Sequence, residues 1–313
     1  MLASQGHRPC LANTPCGLGG GRWGEGRDPR SLALPPRIKP PKSFMTHKQA
    51  IQRNFGKRGG TYDRHARIQQ WMAAELLQGC GEALRRARRI LEVGCGTGYL
   101  TVLIRQANSH ALLVALDLEA SLLQQARVRV GRDAGVHFVA ADGEAFFGGR
   151  YDLILSNSVF QWFTRPEATL REYYRMLRPG GCLAFAILGP ATFQELAASF
   201  QEAAGSLSLP ESPDVAAVSF SGEETWRSFL ANAGFQEASL QREVHIETHP
   251  TVQDFLHALQ ATGATNPIPR PLSPRLFRHM AAIYQSTFGL NGAIPATYEV
   301  IWALAQKWES SAG

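Results

Sequence analysis

The feature that most constrains this chain is Ile90-Leu91-Glu92-Val93-Gly94-Cys95-Gly96-Thr97-Gly98-Tyr99, an apolar run that meets three alternate glycines and then a helix-forming segment. Glycines there let the backbone turn sharply and let a ligand approach with no Cβ in the way. A dinucleotide fingerprint needs a further glycine three residues after Gly96, where Tyr99 stands. The spacing Gly-x-Gly-x-Gly therefore suits a nucleoside without a pyrophosphate.

Downstream, short apolar runs alternate with segments of helical period. The pattern predicts strands over 89–93, 111–116, 136–140, 153–156 and 181–188, with helices near 99–106, 121–130 and 167–177. Arg178-Pro179-Gly180-Gly181 reads as the turn before the fifth strand. Alternation of this kind implies right-handed crossovers and a parallel sheet covered on both faces. Upstream, 62–84 is helical, with Ile68, Trp71, Met72, Leu76 and Leu77 on one stripe. Further along come a helix to about 204, a Ser/Pro-rich insertion over 205–219, a helix over 223–233 and a strand over 238–247. A helical pair over 252–260 and 274–287 and a strand over 299–305 follow.

Ligands of open α/β sheets bind outside the carboxyl ends of the strands, where strand order reverses. Asp117 ends the second predicted strand, where a carboxylate can accept both hydroxyls of a ribose lying over the glycine loop. Asp142 stands just past the third, within reach of an adenine amino group. The glycine loop and both acids fall at successive strand ends.

Composition excludes several other classes. The cysteines (Cys10, Cys16, Cys80, Cys95, Cys182) form no Cys-x-x-Cys pair and have no histidine at metal spacing, so neither a disulfide framework nor a metal site is expected. The formal charge of +6 is concentrated in 1–44, where seven Lys/Arg face Glu25 and Asp28, leaving 25 basic and 24 acidic residues beyond. A nearly neutral body carries no footprint for a phosphate backbone, so nucleic acid is not an expected partner. No apolar run of membrane-spanning length and no compact secretory signal is present, so neither membrane binding nor export is expected and the cytoplasm is the expected location. Residues 1–44 hold seven Gly and seven Pro without apolar period, the composition of a disordered extension ahead of a domain over 45–313. Met45 follows directly; a start site placed too far upstream and a transit peptide both fit that extension.

With these residues in place the chain resembles the class I methyltransferases, and one branch closely. Tyr151-Asp152-Leu153-Ile154-Leu155-Ser156-Asn157-Ser158-Val159-Phe160-Gln161-Trp162 is similar to the segment after the fourth strand of the malonyl-acyl-carrier-protein O-methyltransferases of biotin synthesis. Phe55-Gly56-Lys57, Thr61-Tyr62-Asp63-Arg64-His65-Ala66 and Gln69 resemble that family's leading helix, and Thr262-Gly263-Ala264-Thr265-Asn266 with Leu272-Ser273-Pro274 a later segment. The resemblance implies a Rossmann-like, seven-stranded, mostly parallel sheet with its last strand antiparallel, helices on both faces, and a helical cap from about 46–80 and 250–290. It implies S-adenosyl-L-methionine as cofactor, with Gly94, Gly96 and Gly98 cradling its methionyl part and Glu92 near the amino group. Asp117 would take the ribose, Asp142 with Gly143 or Glu144 the adenine, and Asn157 would sit by the sulfonium. Tyr62 would close over the site, while Gln161 and Trp162 would wall the acceptor pocket.

The implied acceptor is the free carboxylate of a malonyl thioester on acyl-carrier protein, or on coenzyme A, attacked by an enzyme expected to be monomeric. A carboxylate is already nucleophilic at neutral pH, so no general base, metal or covalent intermediate is needed. A cationic side chain is expected to hold it, with Arg165, Arg242 and Arg270 as candidates. The run Arg85-Arg86-Ala87-Arg88-Arg89 precedes the first strand and reads as a solvated face. Two other readings stay open: a methyltransferase of free small acids of the aconitate type, and a non-catalytic assembly protein that keeps the fold.

Deleting residues 1–44 is expected to leave melting temperature and turnover unchanged, because that segment has no core-forming pattern. A drop of more than a few degrees in a thermal melt of the truncated chain contradicts this.

Overall fold

The computed structural model describes residues 65–209, 215, 220–261 and 273–308. Strands β1 (Arg89–Val93), β2 (Leu112–Asp117), β3 (Val136–Ala140), β4 (Tyr151–Asn157) and β5 (Leu177–Leu188) lie parallel. β7 (Ile294–Gln306) runs antiparallel to β5, and β6 (Glu237–His249) pairs antiparallel with β7 at the edge. Among the described residues the sheet has seven strands in the order β3-β2-β1-β4-β5-β7-β6, so strand order reverses between β1 and β4. A ligand cleft belongs at that reversal.

The helices are α1 (Arg67–Gly79), α2 (Gly81–Arg86), α3 (Tyr99–Ala107), α4 (Ala120–Val130), α5 (Pro166–Met176), α6 (Gln194–Ser206), α7 (Glu223–Ala233), α8 (Val252–Ala261) and α9 (Pro274–Phe288). Alternate strand residues point to opposite faces, which sorts the core into two layers. Ile90, Leu113, Leu153 and Ala184 meet α1, α3, α6, α8 and α9 through Met72, Ile104, Phe200, Phe255 and Tyr284. Leu91, Leu116, Ile154 and Phe185 meet α5 and α7 through Leu170, Tyr173, Trp226 and Leu230. α4 completes the first layer, with Leu123 and Ala126 against Ala115 and Cys95. No helix among the described residues is long and apolar enough to cross a membrane.

The expected α/β class and antiparallel last strand hold, and several bounds move. The helix expected over 62–84 breaks at Cys80 into α1 and α2, and its first residues, 62–64, lie outside the described ones. Trp71 is only half-buried on that stripe; its ring stands edge-on to Trp302 at 5.1 Å and beside His245 at 4.9 Å. The Arg178-Pro179-Gly180-Gly181 turn belongs to β5 itself. Gly180 N–H donates to Lys307 O at 3.0 Å and Lys307 N–H to Gly181 O at 2.8 Å, while the pairing with β4 slips from Tyr151↔Leu177 to Leu153↔Cys182. The turn residues thus make a bulge. Both β6 and β7 run longer than expected: β6 continues through the polar Thr248 and His249, and β7 starts at Ile294 and passes through Pro295, a residue that reads as a strand end. Most of the 205–219 insertion and all of 1–44 fall outside the described residues.

Asn108 ties the start of the sheet together. Its Nδ2 donates to Leu84 O and Ala87 O at 2.7 and 2.8 Å, and its Oδ1 accepts from His110 N and Ala111 N at 3.1 and 3.0 Å. Asn108→Ala is expected to cost about 4 kcal/mol of unfolding free energy, at about 1 kcal/mol for each hydrogen bond. Urea unfolding measures this, and a loss under about 1 kcal/mol contradicts it.

Candidate active site

The carboxyl ends of β1 and β2 are sewn together by their own backbone. Gly94 N–H and Cys95 N–H both donate to Leu116 O, at 2.8 and 2.9 Å. Gly96 N–H donates to Asp117 Oδ2 and Glu119 N–H to Asp117 Oδ1, each at 2.8 Å. Asp117 therefore organises the loop as well as facing the cleft.

The three glycines serve different ends. A Cβ on Gly94 would stand 2.2 Å from Val159 Cγ2, and one on Gly98, at φ +83°, 2.9 Å from Ala126 Cα. Gly96, at φ +53°, has no atom within 4 Å of that position and faces open space. Gly94 and Gly96 line the cleft, whereas Gly98 seats the start of α3 against α4.

Asp117, Asp142, Gly143, Asn157 and Trp162 line the same cleft. Asp142 Oδ1 accepts from Glu144 N–H at 2.9 Å, and Tyr173 Oη–H donates to Gly143 O at 2.8 Å. The buried Glu144 carboxylate accepts from Thr164 N–H at 3.0 Å, Thr164 Oγ1–H at 2.9 Å and Arg165 N–H at 2.6 Å. Those bonds hold the segment directly after the short turn of helix Phe160–Trp162. Trp162 stands edge-on to Phe220 at 5.2 Å. Asn157 Nδ2–H donates to Gln69 O at 2.9 Å and leaves its Oδ1 buried without a hydrogen-bond partner.

Other expected residues lie elsewhere. Glu92 is fully buried and outside the cleft lining. Gln161 is outside the lining too, its Oε1 buried and unpartnered. Tyr62, the Thr262–Asn266 segment and Arg270 lie outside the described residues. Arg165 is exposed and away from the cleft lining, and Arg242 pairs with Glu299 at 3.1 Å, so neither of these two stands ready for a carboxylate there. The Arg85–Arg89 run sits at the amino end of β1, where Arg88 N–H and Arg89 N–H donate to Asp152. The cleft also contains Thr97 and Val159, which stand inside quoted motifs without a role of their own, and Leu118, Glu119, Leu122 and Phe163, which carried no motif signal. Their positions just after Gly96, Asp117 and Asn157, the ends of three strands that converge, are what could have marked them.

The profile of the family described as "Methyltransferase domain" matches residues 91–185, a span that includes every cleft residue named here. A malonyl-[acyl-carrier protein] O-methyltransferase of Paenibacillus sp. is 36% identical over 272 residues, 82% of this chain and 97% of that protein. The protein of the same name from Halalkalibacterium halodurans is 35% identical over 269 residues, 83% and 98% of the two chains. The chain belongs to the malonyl-[acyl-carrier protein] O-methyltransferase family. Among solved structures, phosphoethanolamine N-methyltransferase 2 of Haemonchus contortus, in complex with S-adenosylhomocysteine, aligns at a TM-score of 0.54 with 16% identity, over 85% of this chain and 61% of that one. That likeness shows the fold.

A methyltransferase of this family takes S-adenosylmethionine, a nucleoside that carries an ammonium and a sulfonium. The cleft fits such a cation: among its lining residues are the carboxylates of Asp117, Glu119 and Asp142 and no Lys or Arg. The open space over Gly96 and the unpartnered Asn157 Oδ1 leave room and an acceptor atom. Burial pushes the Asp117 carboxyl up, opposed by the Glu119 and Gly96 N–H donors.

The Glu92 carboxyl is pushed up as well. Burial first, and then the nearby Asp117 charge, push its carboxyl up to about 8 against the one hydrogen bond it accepts, from Thr101 Oγ1–H at 2.7 Å. Above pH 4.5 the unfolded chain releases a proton that the folded chain still holds, so the ligand-free fold loses stability as pH rises toward about 8. Glu92→Gln is expected to remove that loss, so its advantage over wild type in urea midpoint grows from pH 4.5 to pH 8. Parallel pH profiles for the two proteins contradict this.

Proposed function

We propose that this enzyme transfers a methyl group from S-adenosylmethionine to the free carboxylate of a malonyl thioester on acyl-carrier protein, the masking step of biotin synthesis. The observation that carries the reading is the relation to the curated malonyl-[acyl-carrier protein] O-methyltransferases, which spans 97–98% of the first two relatives' length at 35–36% identity. Similarity on that scale covers the acceptor side of the fold along with the cofactor side.

S-adenosylmethionine supplies an electrophilic methyl on a sulfonium. In this reading Gly94 and Gly96 cradle the methionyl part and Glu92 lies beneath it. Asp117 accepts from the ribose hydroxyls through lone pairs that its bonds from Gly96 and Glu119 leave over. Asp142 and Gly143 hold the adenine, and Asn157 faces the sulfonium with its buried Oδ1. Trp162 walls the acceptor side and keeps water out, with Gln161 next to it in the chain. The cleft needs no proton acceptor, since the acceptor carboxylate arrives ionised. Alignment and exclusion of water are the chain's contribution.

Labelled methyl transfer to malonyl-carrier protein, malonyl-coenzyme A and free dicarboxylic acids, run in parallel, tests the reading. Malonyl thioesters are expected to react and succinyl thioesters to react about a hundredfold slower, since an added methylene misplaces the carboxylate by about 1 Å. Trp162→Ala is expected to lower turnover far more than donor affinity, and Asp117→Ala to weaken donor binding by about 1–3 kcal/mol in calorimetry. Good turnover of aconitate or another free acid, with malonyl thioesters ignored, overturns the assignment.

A further inference from the structure

A second concavity opens beside the edge strand β6. β6 runs parallel to β5 but overhangs it: β5 ends at Leu188 opposite Val300, while β6 continues past Glu243↔Val300 to His249↔Ile294. His245, Glu247 and His249 fall on one face of that overhang, the face turned toward α1 and α8, where Trp71 lies beside His245 and Phe255 lies 5.3 Å from His249. A groove of about 870 Å3 results, lined by His65, Arg67, Trp71, His245, His249 and His257 with the acids Glu247 and Asp254. It lies at the carboxyl edge of the sheet, as the cleft does.

The two are linked. A small cavity of about 10 Å3 shares His65, Ile68, Glu247 and Ala258 with the groove and reaches Gln69. Gln69 O in turn accepts from Asn157 Nδ2, and Asn157 lines the cleft. A cavity of that size has room for about one water. Gln69 Oε1 has no hydrogen-bond partner, so swinging this side chain aside breaks no bond at that oxygen.

Beside its two acids the groove offers an anion one guanidinium and four imidazoles as donors. Asp254 is occupied by Thr251 Oγ1–H at 2.7 Å, and Glu247 lies 3.8 Å from His249 Nε2. His249 is held toward neutrality by burial. Arg67 and His257 are exposed, and an imidazole donates a hydrogen bond in either charge state. We propose that this groove takes the phosphate-bearing arm of the thioester, with Arg67, His65 and His257 donating to the phosphodiester, and leads the arm past Gln69 to Asn157. The inference rests on the malonyl-thioester reading and names where that acceptor enters.

The test separates arm from reacting group. Wild type and the double variant Arg67→Gln, His257→Gln, at exposed positions outside the catalytic cleft, are assayed on malonyl-carrier protein, malonyl-coenzyme A and malonyl-N-acetylcysteamine, the last of which lacks the phosphate. The variant is expected to raise KM for both phosphate-bearing acceptors about tenfold, the value of one charge-assisted contact, with kcat, melting temperature and KM for the short thioester unchanged. Equal effects on all three acceptors, or no effect, overturn the proposal. A rise confined to the carrier protein overturns it as well and moves the contact to the carrier's own surface. Wild type inactive on every thioester would instead sink the acceptor assignment, a result distinct from failure of the groove.

Discussion

The Asp117 carboxylate, held between two backbone N–H groups, is the constraint from which the site is built. Gly96 and Glu119 donate to its two oxygens, so one side chain fixes the glycine loop after β1 and the start of α4 after β2. Every other wall of the cleft is placed relative to that loop: Val159 fits only because Gly94 has no Cβ, and α4 closes on α3 only because Gly98 has none. The same bonds stabilise a carboxylate that burial would otherwise neutralise, which keeps an acceptor for hydroxyl groups facing the cleft.

A second carboxylate does the corresponding work on the far side. Glu144 spends both oxygens on Thr164 and Arg165, and Tyr173 fixes the carbonyl of Gly143. The loop after β3 and the turn after β4 are thereby locked to each other, and Trp162 faces the cleft from a rigid mount. Glu92 differs, buried with one oxygen unpartnered, and costs the fold stability at neutral pH. The unpartnered Oδ1 of Asn157, a cleft residue, is instead polarity of the kind a ligand completes.

Much of the site was legible because it lies on strand ends. A parallel strand buried on both faces reads as an apolar run, and the first residues beyond it are the ones free to be glycine or acid. Gly94, Gly96, Asp117, Asp142 and Asn157 are legible that way or by motif, and all line one cleft. The arginines were not legible. Nothing local tells an arginine paired to a buried acid, as Arg242 is with Glu299, from one waiting for a ligand.

By itself the sequence determined the α/β alternation and most residues that face the cleft, because period and punctuation act over ten or so neighbours. Only the tertiary structure decided that β7 lies between β5 and β6, that Gly98 serves helix packing rather than the cleft, and that the Arg178–Gly181 turn is a bulge within β5. It also brought His65, His245 and His257, far apart in the chain, around one groove. Such outcomes depend on which distant surfaces pack together, and strand order and side-chain neighbours across a sheet leave no trace in local spacing.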